Sequence, residues 1–149
     1  NTGRVVYGGG GIMPDIFIPI DTTSYSEYFN DLIRMGVINS YILKFIDNNR
    51  QELEKDYATI DSFIKNFNIS EKMMADLEKM AKEKGVEKET SDSKDSTEDI
   101  KIQLKALIAR DLWDMTDYFQ IVNESDKSFI KAREVLRNWK KYQQKILNK

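Results

Sequence analysis

The chain contains no cysteine and no histidine among its 149 residues. The first absence excludes disulfides and thiolate nucleophiles, the second removes imidazole bases, and together they exclude the usual zinc sites. Any metal would have to be held by carboxylates, and no cofactor motif is present. Lack of cysteine does not locate the chain, because reducing and oxidising compartments both tolerate it. No apolar run approaches the roughly 18 residues a membrane span needs, and nothing at the N-terminus has the charged start and apolar middle of a signal peptide. Neither sign of charge dominates. The 23 Lys+Arg nearly balance the 25 Asp+Glu, so a formal charge of -2 gives no reason to expect nucleic acid as a bulk partner. The length suits one compact domain, which would bury about 70% of the surface its unfolded form exposes.

Five of the seven glycines fall in the first eleven residues. In RVVYGGGGIMPDIFIPID, residues 4–21, β-branched and aromatic runs at 4–7 and 16–20 flank Gly8, Gly9, Gly10 and Gly11. The pattern predicts strand, glycine turn, strand. Pro14 and Pro19 cannot donate to a ladder, so the second strand should be short or at an edge. A phosphate cradle would need a helix opening directly after the glycines, and Ile-Met-Pro-Asp stands there instead. Two short strands alone are marginal in water, and the sequence offers no third. The pair is expected to belong to a sheet elsewhere, and Asn1, which is not Met and lies close to a strand, suggests a chain cut from something longer.

The segment TGRVVYGGGGIMPDI, residues 2–16, resembles the closing segment of the catalytic domain in the C-terminal processing peptidases, the tail-specific serine proteases. Gly3, Arg4, Gly11, Ile12, Pro14 and Asp15 match that family's Gly-Arg pair and Gly-Ile-x-Pro-Asp element. KALIARDLWDM, residues 105–115, is also similar to a helical extension on Bacteroidota-type members. The resemblance implies a parent endopeptidase with a serine nucleophile and a lysine base, both upstream of this segment. No catalytic residue can therefore be assigned here, and the resemblance alone implies the cell envelope or periplasm. It also implies as partners the remainder of a protease chain and that enzyme's polypeptide substrate, with homo-oligomerisation open.

The remainder reads as helix. Ser24 and Glu27 fit a capping box, Tyr25, Phe29, Leu32 and Ile33 make a stripe, and Gly36 is a natural stop. Ile38, Tyr41, Ile42, Phe45 and Ile46 continue with helical spacing, and the polar stretch 48–57 is either the same helix or a second one after a kink, the break being placed near residues 47–49. Ile60, Phe63, Ile64 and Phe67 predict a short helix. Ser70 should cap the next, with a face of Met73, Met74, Leu77, Met80 and Ala81 and a stop at Gly85. Such a methionine stripe can mark a peptide groove, but its period favours core. VEKETSDSKDST, residues 86–97, has one apolar residue and reads as a flexible linker dividing the helical part. Beyond it, Ile100, Leu104, Leu107, Ile108, Leu112, Met115 and Phe119 predict one long central helix.

A final helix is expected from Asn123, with Ile130, Val135, Leu136, Trp139, Tyr142 and Ile146 on one face. Its many Lys and Arg side chains, Lys131 and Arg137 among them, fit either an anionic partner, such as a membrane surface or an acidic protein segment, or the solvated edges of a packed helix. The packed reading is preferred because a periodic apolar face has use as core. Ser62-Phe-Ile-Lys65 and Ser128-Phe-Ile-Lys131 share a Ser-x-x-Lys spacing with penicillin-recognising enzymes, without the accompanying elements. Inward-pointing Phe63-Ile64 and Phe129-Ile130 explain both more simply. Asp111, Asp114 and Asp117 lie one turn apart and could bind a hard cation, although a solvated face with Arg110 near Asp114 is preferred.

The expected organisation is mainly α, a bundle-like helical module behind a short β segment. Residues 1–21 would be protease-domain strands, 22–85 a helical subdomain, 86–97 a linker, and 98–149 long helices packing on the first part. The expected function is a non-catalytic accessory, regulatory or oligomerisation region of a processing protease, the alternative being a free-standing helical interaction domain.

Overall fold

The computed structural model describes residues 14–19, 26–88 and 96–147. They form eight helices: α1 (Glu27–Arg34), α2 (Val37–Asp56), α3 (Ile60–Asn66), α4 (Glu71–Glu83), α5 (Thr97–Leu112), α6 (Met115–Val122), α7 (Lys127–Arg137) and α8 (Trp139–Leu147). The described residues contain no strand. The expected second strand does not form at residues 16–19, where Pro19 removes a ladder donor and no partner strand is described. The expected first strand, residues 4–7, the glycine turn and most of the resemblance to the processing peptidases lie outside the described residues.

Two compact units are distinguished, Thr22–Val122 and a second made of Asn1–Asp21 with Asn123–Lys149. The first unit includes helices on both sides of residues 86–97, of which residues 89–95 lie outside the description. The reason is packing. α2 lies against α1, α4 and α5, so helices on both sides of the linker share one core. Phe63, Leu32, Ile42, Leu77, Leu104, Ile108 and Val37 are its fully buried side chains, each stabilising by roughly 1.5–3 kcal/mol through removal from water. Ala106 and Ala109 are also fully buried.

Local chemistry sets the helix ends. Ser26, not Ser24, caps α1 by accepting from the Phe29 N–H at 3.1 Å. Ser26 also donates its own N–H to Ser96 Oγ at 3.1 Å, a buried bond seventy residues long in sequence that joins the starts of α1 and α5. Ser70 accepts from the Met73 N–H at 3.2 Å, as the sequence predicts. α4 closes through Gly85 N–H to Lys82 O and Val86 N–H to Ala81 O, with Gly85 at φ 76°. This reciprocal pair needs a left-handed residue, which glycine supplies without a Cβ penalty. The methionine face is core, with Met73, Met74, Leu77 and Ala81 buried.

Two breaks differ from the sequence expectation. α2 continues through residues 47–49 because Asn48 and Asn49 donate from Nδ2 to the carbonyls of Lys44 and Phe45, at 2.9 and 2.7 Å, so these polar side chains follow the helix instead of ending it. The expected long helix from residue 98 stops at Trp113. That ring turns onto Phe63, with centroids 5.4 Å apart, and Asp114 recaps the chain by accepting from the Thr116 and Asp117 N–H groups at 2.6 and 3.3 Å. Met115 and Phe119 therefore leave the core and are about half exposed, 52% and 51%.

Burial also sets a pH limit. An unfolded tyrosine ionises near 10, whereas burial first, and then the negative charge of Asp76, push the Tyr41 phenol up to about 12. The folded chain keeps a proton that the unfolded chain has lost. Stability from Tyr41 is thus fully present below pH 10 and falls as pH rises towards 12. Thermal melts across that window should show the fall, and Tyr41→Phe should flatten it by at most about 3 kcal/mol, two pKa units at about 1.4 kcal/mol each. An identical slope in the variant would refute this assignment.

Candidate functional site

The first unit carries two concavities. One, between α2 and α4, encloses about 280 Å³ and is largely polar at its edge, with Lys44, Asn48, Asp76, Lys79 and Glu83 around Tyr41, Phe45 and Met80. The other, about 450 Å³, opens where the end of α1 and the start of α2 face α5 and α6. Its walls are Ile33, Ile38, Leu107, Met115 and Phe119, with Asn39, Gln103, Arg110 and Tyr118 as the polar members. Ile33 is also half exposed, at 49%. Three half-exposed large apolar side chains, Ile33, Met115 and Phe119, thus line one groove.

The groove's polar groups are held in place. The Tyr118 hydroxyl donates to Gln103 Oε1 at 3.2 Å, and Arg110 pairs with Asp111 at 3.3 Å. Arg110 therefore pairs with its neighbour and not with Asp114. The hydrogen bonds from the first turn of α6, led by the Thr116 N–H, hold the Asp114 carboxyl below the usual carboxylate range. Asp114 acts as a helix cap, and among the described residues no group of three potential metal ligands comes together.

The two Ser-x-x-Lys sites differ. In α3, Phe63 is buried and Ile64 half-buried, as expected, and Ser62 accepts from Asn66 Nδ2 at its carbonyl, 2.9 Å, and its hydroxyl, 3.4 Å. In α7 the expectation fails: Phe129 and Ile130 are exposed, 42% and 41%. Lys131 there donates to Glu134 at 2.7 Å and to the Tyr142 hydroxyl at 3.0 Å, while Tyr142 donates to Glu134 at 2.6 Å. The Glu134 hydrogen bond, then that of Tyr142, raise the Lys131 ammonium above its ordinary value. A lysine held charged cannot serve as a base for a serine.

The final basic segment also departs from expectation. It is two helices, α7 capped by Asp126, whose carboxylate accepts from the Phe129 N–H at 2.6 Å, and α8 after a break at Asn138. No residue of α7 is buried. Leu136 is 72% exposed and Trp139 48%. Of the expected apolar face, Ile130, Leu136 and Trp139 are exposed, while Val135 and Tyr142 are half-buried.

Sequence reasoning missed Lys105. From α5 its Nζ donates to the carbonyls of Ile64 and Phe67, at 2.7 and 2.6 Å, at the end of α3. Burial pushes this amine below its ordinary value. A lone lysine among apolar positions was the only available signal. The groove was missed for another reason: its residues come from four helices, and only the break at Trp113 brings Met115 and Phe119 to its mouth.

Residues 28–114 match the profile described as Family of unknown function (DUF8443). No curated protein and no solved structure matches this chain significantly.

Proposed function

The chain belongs to the DUF8443 family, and from that footing we propose that it is a non-catalytic helical docking module whose working surface is the groove between α1, α2, α5 and α6. The observation that carries the reading is the exposure of Ile33, Met115 and Phe119 around one concavity. Large apolar side chains gathered at a concave site favour burial against another polypeptide. The segment matching the tail-processing peptidases supports a parent serine endopeptidase. The module would then be an accessory region, and the groove would receive that enzyme's own protease domain in the cell envelope.

A second reading has its own support. The family match begins at Tyr28 and leaves out the glycine-rich segment, residues 2–16, although it takes in nearly all of the second resembling stretch, residues 105–115. This favours a module that binds a separate protein.

The test combines sequence and binding. Under the first reading the residues encoded upstream of Asn1 include further strands and a Ser/Lys pair, and the protease domain binds this chain in isothermal titration. The double variant Met115→Glu/Phe119→Glu should weaken that binding at least 10-fold, because two charges would enter an apolar contact, while leaving the helical circular dichroism unchanged. Unrelated upstream sequence would transfer the groove to the second reading. Proteolysis by the isolated chain, lost in Ser62→Ala or Ser128→Ala, would overturn both.

A further inference from the structure

We propose that the corner between α7 and α8 docks the protein onto an anionic phospholipid surface. Residues 123–149 carry eight Lys or Arg against three Asp or Glu, within a chain whose total charge is -2. The acidic groups of the segment are already occupied: Glu124 pairs with Arg133 at 2.9 Å, Glu134 with Lys131 and Tyr142, and Asp126 caps α7. From Val135 to the end there is no Asp or Glu at all. Arg137, Lys140 and Lys141 make no ion pair among the described residues. They stand in the stretch Leu136-Arg137-Asn138-Trp139-Lys140-Lys141, interleaved with two exposed large apolar side chains, Leu136 and Trp139.

The chemistry of the cations selects the partner. Four of the five basic residues after Val135 are lysines. A lysine is a hydrated point charge on a flexible stem, suited to a diffuse field of lipid phosphates. Recognition of fixed carboxylates favours the arginine fork, and lysine is depleted from protein interfaces. Trp139 adds an amphipathic ring of the kind that settles at the headgroup level. Each Lys or Arg near an anionic leaflet adds to the attraction, and shallow insertion of apolar side chains strengthens it. The link from Lys131 through Glu134 to Tyr142 ties α7 to α8 and presents the corner as one preformed surface. The corner shares no residue with the groove assigned above to a polypeptide, so either assignment can fail alone.

The experiment is co-sedimentation of the full 149-residue chain with phosphatidylcholine vesicles containing phosphatidylserine, and with phosphatidylcholine alone, at low and high salt. Binding is expected only to the anionic vesicles, weakened by salt, with a blue shift of tryptophan emission that Trp139→Phe removes. Arg137→Glu/Lys140→Glu/Lys141→Glu should lower the affinity by at least about 100-fold. Its thermal midpoint should be unchanged, since these side chains are exposed. Equal binding to both vesicles, or unimpaired binding by the triple variant, would overturn the proposal. So would binding to soluble poly-glutamate in the absence of vesicle binding, which would assign the corner to an acidic polypeptide instead.

Discussion

Phe63→Ala is expected to remove about 3–5 kcal/mol of stability, the full cost of deleting a large buried ring that its neighbours cannot refill. Phe63 has no exposed surface. It stacks on Phe67 with ring centroids 4.5 Å apart, meets Tyr57 edge-on at 5.4 Å, and takes Trp113 from the end of α5 at 5.4 Å. The three rings approach from different helices or their caps, so none can move into the void without abandoning its own packing. For a unit of this size the loss corresponds to a fall in Tm of at least about 12 °C. Denaturant titration should show the midpoint moving with little change in slope. A loss below about 1 kcal/mol would mean that the ring cluster collapses freely, and that the α5 break is anchored by something other than Trp113 on Phe63.

The second large effect is expected at Lys105. Replacing it by methionine keeps the length of the stem but leaves the Ile64 and Phe67 carbonyls without their donor and removes a positive charge from the C-terminal end of α3. Stability should fall by about 2 kcal/mol, the cost of stranding partly buried acceptors. The direction of the pH effect follows from burial lowering the pKa of this amine. Between that lowered value and the ordinary 10.5 the unfolded chain binds a proton the folded chain has released, so the contribution of Lys105 grows as pH rises through this window. A neutral amine still donates to two carbonyls. Denaturation of the Lys105→Met variant at neutral pH, and the difference between variant and parent as pH approaches 10, test both points; a variant equal to the parent would refute them.

Much of the helical order was legible because it is written locally. Ser70 three residues before Met73, Gly85 after a methionine stripe, and Phe63 to Phe67 one turn apart each state a cap, a stop or a face within a few positions. What was not legible depends on partners distant in the chain or on competing local signals. Ser24 and Ser26 both precede the same stripe, and the capping role goes to Ser26, whose N–H also meets Ser96. The apolar period runs unbroken from Ile100 to Phe119, and only the position of Phe63 explains why Trp113 ends it. In α7 a periodic apolar face was read as core, yet periodicity states only that a face exists, never that something covers it. The groove was invisible for the same reason. No short stretch contains it.

The bond between Ser26 and Ser96 carries a consequence for how this family can vary. It fixes the point at which the chain re-enters the helical core after α4, while Gly85 and Val86 fix the point at which it leaves. With departure and return both pinned, the segment between them is free to differ in length without shifting α5. Closing a loop of twice the length costs only about 0.6 kcal/mol, a small fraction of what the core supplies. Insertions should therefore accumulate between Lys88 and Ser96, and a whole inserted domain could be accommodated there with the groove left intact.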